Sequence, residues 1–252
     1  MLKINCYSNI RVIICSCDKY ADLWLPLAQS YSKFWQDCCW PITLLSETVE
    51  ENRFPNISVM PLGQNLSWSN MLLNALANIS EDNILLVLDD FYLKHQVNNS
   101  HLLDLYEKFI LHDLSMLRLI PRPAPKAIEV DLIFGLIEDH EPYRVSTQAS
   151  IWKKSVLSSL LNITESPWEF ELAGTSRSKG IPNFAGVRTH SFPYYHHDVQ
   201  RGRWFPWSVA YLTIRGFNID ISKRTIMGTF ETFNYLAKKV FLKLINLFGN
   251  LV

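Results

Sequence analysis

The chain has no excess charge of either sign and no long apolar run. Its 24 basic residues balance 24 acidic ones over 252 residues. This balance argues against a general nucleic-acid binder, so we expect no nucleic acid among its partners. No stretch reaches the ~18 uncharged apolar residues of a membrane-spanning helix. Hydrophobic residues make up 48% and charged residues 19% of the chain, which indicates a globular protein with ample material for a core.

Cysteine is scarce and lies only in the first 39 residues. The five cysteines are Cys6, Cys15, Cys17, Cys38 and Cys39. Cys15 and Cys17 fall in a strand-like run that would place both thiols on one face, so a zinc site or a disulfide is one interpretation. Because the number is odd and no secretory signal precedes them, we expect buried cytosolic thiols.

A glycine-rich loop is missing after the first predicted strand, residues 11–17. The four residues from Ser16 to Lys19 contain no glycine. Nucleotidyltransferases usually carry a glycine-rich, basic phosphate loop at this point. The sequence therefore disfavours that class, although paired carboxylates and a divalent ion would also suit it.

The most informative segment is an apolar run that ends in two adjacent carboxylates. Residues 84–88 are five large apolar residues, typical of a strand buried on both faces, and Asp89 and Asp90 follow directly. Ligands of open α/β sheets gather at the carboxyl ends of strands, and oxygen ligands suit Mg²⁺ or Mn²⁺ that also hold a diphosphate. The alternative is an Asp-rich turn without a metal.

The first 120 residues alternate between predicted strands and helices. Strands are predicted at 11–17, 42–45, 57–60, 84–88 and 116–120, and helices at 25–34, 67–79 and 100–111. Such alternation is the pattern of an α/β protein with a parallel or mixed sheet. In the second half we predict a helix over 151–161 capped by Ser150, and a helix that starts with a capping box at Ser166 and stops near Gly174. Residues 174–207 form a long irregular segment, and such loops are usually functional.

The ordered set of motifs resembles the GT-A glycosyltransferases of bacterial capsule and lipopolysaccharide synthesis. Residues 13–24 resemble the opening strand and loop of these enzymes, 88–91 their DxD-type element, 146–154 the acceptor-side step, and 166–171 the acidic helix start. The resemblance covers roughly residues 10–207 and implies a Rossmann-like mixed sheet with flanking helices, which we assign to a domain over 1–214. The charge and spacing of the remaining residues predict a separate basic amphipathic helical tail over 215–252. The carboxylates read Asp-Asp-Phe rather than Asp-x-Asp, and Glu-Phe-Glu replaces the Glu-Asp of the large inverting family.

The resemblance implies transfer of a hexosyl group from a nucleotide diphosphate sugar to a glycan or lipid-linked oligosaccharide. It also implies inversion of the anomeric configuration and dependence on Mn²⁺ or Mg²⁺. Glu169 or Glu171 would be the general base. Glu169 is favoured slightly because the family's acid sits at the helix start, while its alternative role is to complete the capping box. Gln148 and Trp168 would contact the acceptor.

The donor and metal residues are assigned by the same resemblance. Asp90 would hold the metal with help from Asp89, and His197 would complete its shell unless it is a surface residue. Arg203, in a late loop that resembles the one closing over the diphosphate, would bind phosphate oxygens. The other donor-binding candidates are Cys17, Asp18, Tyr20 and Trp68. For Asp18 and Tyr20 the alternative is a solvated loop, and Trp68 could simply pack.

The tail predicts contact with a membrane surface. Apolar residues recur at helical spacing from Phe230 to Phe248, and residues 215–252 hold six basic residues against two acidic ones, a net charge of +4. An in-plane helix on an anionic leaflet has this pattern. We therefore expect a cytoplasmic protein, peripheral on the inner face of the cytoplasmic membrane. The alternatives are a helix packed on the protein's own core and, for the whole chain, an inactive scaffold with the same fold.

Overall fold

The protein is described by a computed structural model that covers residues 9–50, 54–125, 128–129, 131–194, 198–200 and 202–248, with backbone alone for 128–129 and 239–248. The chain divides into two compact units, Met1–Tyr195 and His196–Val252. This division lies earlier in the chain than the predicted limit at 214. The assignment of catalytic and tail roles to the two sides of that limit stays a prediction.

The first unit contains a nine-stranded sheet in the order β3-β2-β1-β4-β8-β5-β9-β7-β6. Strands β1 to β4 are parallel, β8 runs antiparallel to its neighbours β4 and β5, and β5 is parallel to β9. The strands are β1 (Ile10–Cys15), β2 (Ile42–Ser46), β3 (Ile57–Pro61), β4 (Asn83–Leu88), β5 (Met116–Arg118), β6 (Ile128–Glu129), β7 (Phe134–Leu136), β8 (Ser150–Lys153) and β9 (Phe184–Val187). The prediction of a mixed α/β sheet is confirmed.

These strand directions bring several chain segments to one edge of the sheet. The carboxyl ends of β1, β2, β4 and β5 all point to the edge where the antiparallel β8 begins. The segments after β1, β2 and β4, and the segment before β8, therefore meet there. This is the edge at which open α/β sheets hold their ligands.

Five helices flank the sheet, and local sequence explains where three of them begin. They are α1 (Trp24–Phe34), α2 (Trp68–Ala77), α3 (Asn99–Leu111), α4 (Lys154–Leu160) and α5 (Pro167–Arg177). The side chains of Ser67, Asn98 and Ser166 accept hydrogen bonds from N–H groups of the first turns of α2, α3 and α5. Apolar residues of α2, α4 and α5 pack on one sheet face, against alternate residues of β4 such as Ile84 and Leu86.

Three local predictions are wrong. Ser150 starts strand β8 rather than a helix, because residues 150–153 pair with both β4 and β5. Gly174 lies inside α5: a Cβ there would meet Val145 Cγ1 at 3.1 Å, so this glycine permits close packing rather than ending the helix. Cys39 is disulfide-bonded, so the expectation of free thiols holds only for Cys15, Cys17 and Cys38 among the described cysteines.

The described part of the second unit contains a hairpin and two helices. The hairpin pairs β10 (Val199–Gln200) with β11 (Arg203–Trp204), and α6 (Pro206–Ile214) and α7 (Thr229–Phe248) follow. The Ser208 side chain donates a hydrogen bond to Asp198, which fixes the start of α6 to the hairpin. Among the described residues, every helix is too short or too polar to cross a membrane.

Candidate active site

The carboxylate of Asp89 is held in place from the neighbouring strand. Ser16 follows β1, and its hydroxyl donates to Asp89 Oδ2 at 2.6 Å. The indole N–H of the buried Trp24 donates to Ser16 Oγ at 2.6 Å. Because an indole can only donate and a serine hydroxyl has one proton, this contact directs that proton to Asp89. The three side chains thus fix one carboxylate at the carboxyl end of the parallel strands.

Asp90 lies beside a buried tyrosine from the long irregular segment. The Phe91 ring stacks on Tyr194 with centroids 4.1 Å apart, and Leu93 forms a β-bridge with Tyr194. Burial raises the pKa of Tyr194. The carboxylates of Asp90 and Glu171 raise it further, against the opposing Ala149 N–H and Arg118 charge. Tyr194 therefore stays a neutral phenol whose surroundings include carboxylates from two sides of the site.

The hydroxyl of Tyr194 also orders the segment before β8. It donates to Gln148 Oε1 at 2.7 Å and accepts from Ala149 N–H at 3.2 Å. Gln148, predicted to contact the acceptor, is half-buried. Its amide nitrogen is thereby turned away from Tyr194, because the oxygen makes that contact.

Glu171 is the helix α5 carboxylate that belongs to this cluster. Its Oε1 accepts from Thr147 N–H at 2.7 Å, from Thr147 Oγ1 at 2.9 Å and from Ser146 Oγ at 3.2 Å. All three hydrogen bonds end on Oε1. Glu171 is half-buried and lies next to the segment that carries Gln148.

A buried guanidinium lies behind these carboxylates. Arg118 ends β5, is fully buried, and donates from its two Nη groups to the backbone oxygens of Pro123 and Tyr143. Burial lowers its pKa to about 10, although the carboxylates of Glu141 and Glu171 favour the charged form. Its Nε–H has no hydrogen-bond partner among the described residues. Glu171 thus favours the charged form of Arg118 without forming a direct ion pair with it among the described contacts.

Glu169, two residues earlier in α5, is placed differently. It is exposed, and its Oε2 accepts from Ser166 N–H at 2.8 Å and from Ser166 Oγ at 2.6 Å. These two hydrogen bonds from Ser166 lower its pKa. The capping-box role is therefore present, and the lowered pKa is opposite to the rise that a general base needs at neutral pH.

The predicted donor residues after β1 have structural contacts of their own. Asp18 Oδ1 accepts from Glu47 N–H at 2.9 Å, and Oδ2 accepts from Thr48 N–H at 3.0 Å. Burial alone would raise the pKa of Asp18, but the hydrogen bonds from Thr48 and Glu47 lower it. Asp18 thus links the loops after β1 and β2. Tyr20 is half-buried in a 3-10 helix, Asp18–Leu23, that follows β1.

The other aromatic and thiol candidates divide between packing and exposure. The ring of Trp68 lies 5.5 Å from the ring of Phe170, centroid to centroid, in the hydrophobic cluster. The contacts of Trp68 are therefore those of a packing residue. Trp168 is exposed at the start of α5, where it can meet a ligand. Burial raises the pKa of the Cys17 thiol, and the nearby Asp89 carboxylate raises it further. Cys17 is thus a neutral thiol at the sheet edge.

Two predicted site residues cannot be placed against this edge. His197 lies outside the described residues. Arg203 belongs to the second unit, where its Nη1 forms an ion pair with Glu231 at 2.6 Å. Both partners are about half exposed, so the pair is weak and easily exchanged for another anion.

The residues present suit a divalent ion that is shared with a substrate. Within the described part of the chain, no group of three or more His, Cys, Asp or Glu side chains forms a ready metal cage. Mg²⁺ in phosphate-binding sites needs only one or two carboxylates, because the phosphates and waters supply the other ligands. Asp89 and Asp90 provide that donor set, and Ser16 orients one of them.

Three side chains of this site were missed by sequence reasoning. Ser16, Arg118 and Tyr194 take part through contacts with segments far away in the chain. Ser16 carried a signal, since it lies near the carboxyl end of the strand predicted at 11–17, and Tyr194 carried a weaker one as part of the irregular segment 174–207. The sequence offered no reason to choose Arg118 among 24 basic residues.

The fold of the chain matches that of solved structures. Residues 1–349 of S. aureus TarS, alone and in complex with UDP-GlcNAc, each superpose with a TM-score of 0.50 at 15% identity, over 74% of this chain. The fold is that of the GT-A glycosyltransferases. The aligned part covers 59% and 57% of those TarS chains, so less than two thirds of their length.

This likeness establishes the GT-A fold and nothing further, since identity is low. M. tuberculosis glucosyl-3-phosphoglycerate synthase aligns over 88% of this chain and 82% of its own, at 14% identity, but with a TM-score of 0.43. That score is too low to support any statement about this chain. No protein-family model and no curated protein sequence matches the chain.

Proposed function

We propose that the chain is a glycosyltransferase that moves a sugar from a nucleotide diphosphate sugar to a glycan or lipid-linked acceptor in bacterial surface polysaccharide synthesis. One observation carries the proposal. In a GT-A fold, the ligand-binding edge of the sheet brings together the Asp89 and Asp90 carboxylates with Gln148 and Glu171. Donor activation and acceptor deprotonation need these two kinds of group side by side.

On the donor side, Asp89 and Asp90 would hold the divalent ion. A bound Mn²⁺ or Mg²⁺ supplies Lewis-acid stabilisation of the leaving diphosphate. Ser16 and Trp24 keep the Asp89 carboxylate oriented before the donor arrives, which reduces the reorganisation needed on binding. Tyr20 and Cys17 are proposed to line the nucleotide side of the same edge.

On the acceptor side, we assign the base to Glu171. Its Oε1 is occupied by the Thr147 and Ser146 donors, so Oε2 takes the proton of the acceptor hydroxyl. The acceptor oxygen then forms a bond to the anomeric carbon while the bond to the diphosphate breaks, and the configuration inverts. Gln148, oriented by Tyr194, is proposed to hold the acceptor, and the exposed Trp168 offers it an apolar face.

The remaining assignments are extensions of the same proposal. Arg203 would exchange its exposed partner Glu231 for diphosphate oxygens, and His197 would add a metal ligand. Glu169 is left to its capping role, because its pKa is lowered. Asp18 and Trp68 would support the site through loop linkage and packing rather than touch the donor.

The proposal is tested with a panel of nucleotide diphosphate sugars and the purified chain. We expect one class of nucleotide sugar to raise the unfolding temperature in the presence of Mn²⁺, and the matching nucleotide alone to raise it less. The same donor should be hydrolysed slowly, or transferred when an acceptor is supplied. EDTA should remove the thermal shift and the turnover.

Three other outcomes separate the rival functions. Binding without hydrolysis or transfer under any condition would indicate an inactive scaffold. Release of pyrophosphate from a nucleoside triphosphate and a sugar phosphate would indicate a nucleotidyltransferase. If no nucleotide sugar shifts the unfolding temperature, the proposal is wrong.

A further inference from the structure

Helix α6 exposes a continuous apolar stripe. The stripe occupies positions i, i+3, i+4 and i+7 of the helix, namely Trp207, Ala210, Tyr211 and Ile214. Trp207 is 61% and Ile214 83% exposed, while Leu212 on another side of the helix is fully buried. Helix α6 thus packs on its own unit by one face and exposes a second apolar face to solvent. Such an exposed apolar face is typical of a surface that binds another molecule or a membrane.

Helix α7 repeats this arrangement. One of its faces, with Glu231, Tyr235 and Lys238, lines a cavity of about 430 Å³ that Gln200 and Arg203 of the hairpin close. Since successive helical residues are turned by ~100°, the apolar stripe that starts at Phe230, Phe233 and Ala237 lies on a different side. Phe230 is 76% and Phe233 68% exposed.

Helices α6 and α7 are joined by an aromatic contact within the second unit. The ring of Phe205 lies 5.2 Å from the ring of Trp207 and 5.9 Å from that of Tyr235, centroid to centroid. The start of α6 is therefore fixed to α7. The two stripes are thus carried by helices that are packed together in one unit.

Cations border these stripes. The second unit holds eight basic and three acidic residues, a net charge of +5, and the rest of the neutral chain therefore carries −5. Arg215 ends α6, with its guanidinium carbon 5.3 Å from the centroid of the Tyr211 ring. On α7, the positions of Lys238 and Lys243 lie on opposite flanks of the stripe. Exposed aromatic residues with flanking cations suit the boundary between lipid headgroups and acyl chains.

We propose that the whole second unit, and not only α7, binds the surface of an anionic lipid bilayer through the α6 and α7 stripes. A second copy of the chain fits less well, because a self-complementary contact would bring two units of charge +5 together. An anionic bilayer instead attracts each flanking cation. The α6 stripe makes Trp207 and Ile214 part of the contact.

Vesicle co-sedimentation of the full chain tests this proposal. We expect binding to phosphatidylglycerol-containing vesicles, weaker binding to pure phosphatidylcholine, and a decrease with added salt. The Trp207→Ser/Ile214→Ser pair and the Phe230→Ser/Phe233→Ser pair should each weaken binding by about tenfold or more. A matched pair of exposed apolar residues in the first unit, Leu111→Ser/Leu132→Ser, should bind like the parent chain.

The outcomes that overturn the proposal are distinct from failure of the glycosyltransferase assignment. Equal binding by the α6 pair and the parent chain would remove α6 from the contact. A dimer in solution that the Phe230→Ser/Phe233→Ser pair converts to a monomer would assign the stripes to a second copy. Asp90→Asn should bind vesicles like the parent chain, so that loss of turnover and loss of vesicle binding are read separately. Unchanged unfolding temperatures of both pairs exclude misfolding as the cause.

Discussion

The two units use the same residue types in opposite ways. In the first unit, the large polar and aromatic side chains of Arg118, Tyr194 and Trp24 are buried and hydrogen-bonded around one sheet edge. In the second unit, Trp207 and Phe230 stand in solvent. The first arrangement holds atoms at fixed positions for chemistry, whereas the second offers area to an external surface. Substitution of the buried side chains named in the first unit should therefore cost activity or stability, whereas substitution of the exposed Trp207 and Phe230 should leave both intact.

The largest effect should follow Asp90→Asn. This change removes the negative charge that helps to bind the divalent ion, so turnover should fall by ~10³-fold or more. The unfolding temperature without ligand should stay within a few degrees of the parent value, because Asp90 is only half-buried. Donor turnover and the Mn²⁺-dependent thermal shift are the measurements.

Asp82→Asn is the matched control for this change. Asp82 precedes the same strand β4 at the opposite edge of the sheet, where it is exposed and accepts from Asn9. It should retain nearly full turnover. If Asp90→Asn stays active, or if EDTA does not affect the parent chain, Asp90 has no metal role.

The next largest effect should separate two carboxylates of one helix. Glu171→Gln should lower kcat by roughly the 10²–10⁴-fold typical of a lost general base, with donor affinity little changed. Glu169→Gln should keep kcat within about twofold and cost only the cap, ~0.5–1 kcal/mol of stability. A pH profile of kcat for both variants is the decisive measurement. The reverse order of losses would return the base role to Glu169.

The sequence predicted the fold better than the site, and the reason is physical. Strands β1, β2 and β4 are mostly apolar runs, and the caps of α2, α3 and α5 follow from their own neighbours in the chain. Such signals are local. Gly174 was predicted to end a helix but lies inside α5, where it packs closely on Val145. Val145 is 29 positions away in the chain, so no local signal could show this contact.

The site depends on contacts of this long-range kind. Tyr194 is one of ten tyrosines, and only its hydrogen bond to Gln148 and its stack on Phe91 distinguish it. The motif alone favours Glu169 only slightly over Glu171 as the base. What separates them is that Ser166 holds the first while Thr147 reaches the second from another part of the chain.

A stability contrast between two phenylalanines tests the comparison of the units directly. Phe170 of α5 is fully buried against Trp68, and Phe233 of α7 is mostly exposed. Phe170→Ala should lower the free energy of unfolding by about 3–5 kcal/mol. Phe233→Ala should change it by less than about 0.5 kcal/mol. Denaturant unfolding measures both, and a large loss for Phe233→Ala would show that its ring packs on the protein.

The smallest effect compares two Arg–Glu pairs as a function of pH. Arg11 donates to both oxygens of the buried Glu81, at 3.1 and 2.8 Å, and these hydrogen bonds from Arg11 lower the pKa of Glu81. A lowered folded-state pKa adds stability that is fully present above the unfolded pKa, about 4.3, and is lost as the pH falls through the folded-state pKa.

Glu81→Gln should therefore be less stable than the parent chain at pH 7 by about 1–2 kcal/mol. The two should converge as the pH falls below about 4. Glu231, paired with Arg203, is exposed, and the hydrogen bond from Gly228 N–H lowers its pKa. Because solvent screens these interactions, Glu231→Gln should depart from the parent curve much less than Glu81→Gln does. Parallel curves for Glu81→Gln and the parent chain between pH 7 and pH 3 would contradict the role of the Arg11–Glu81 pair.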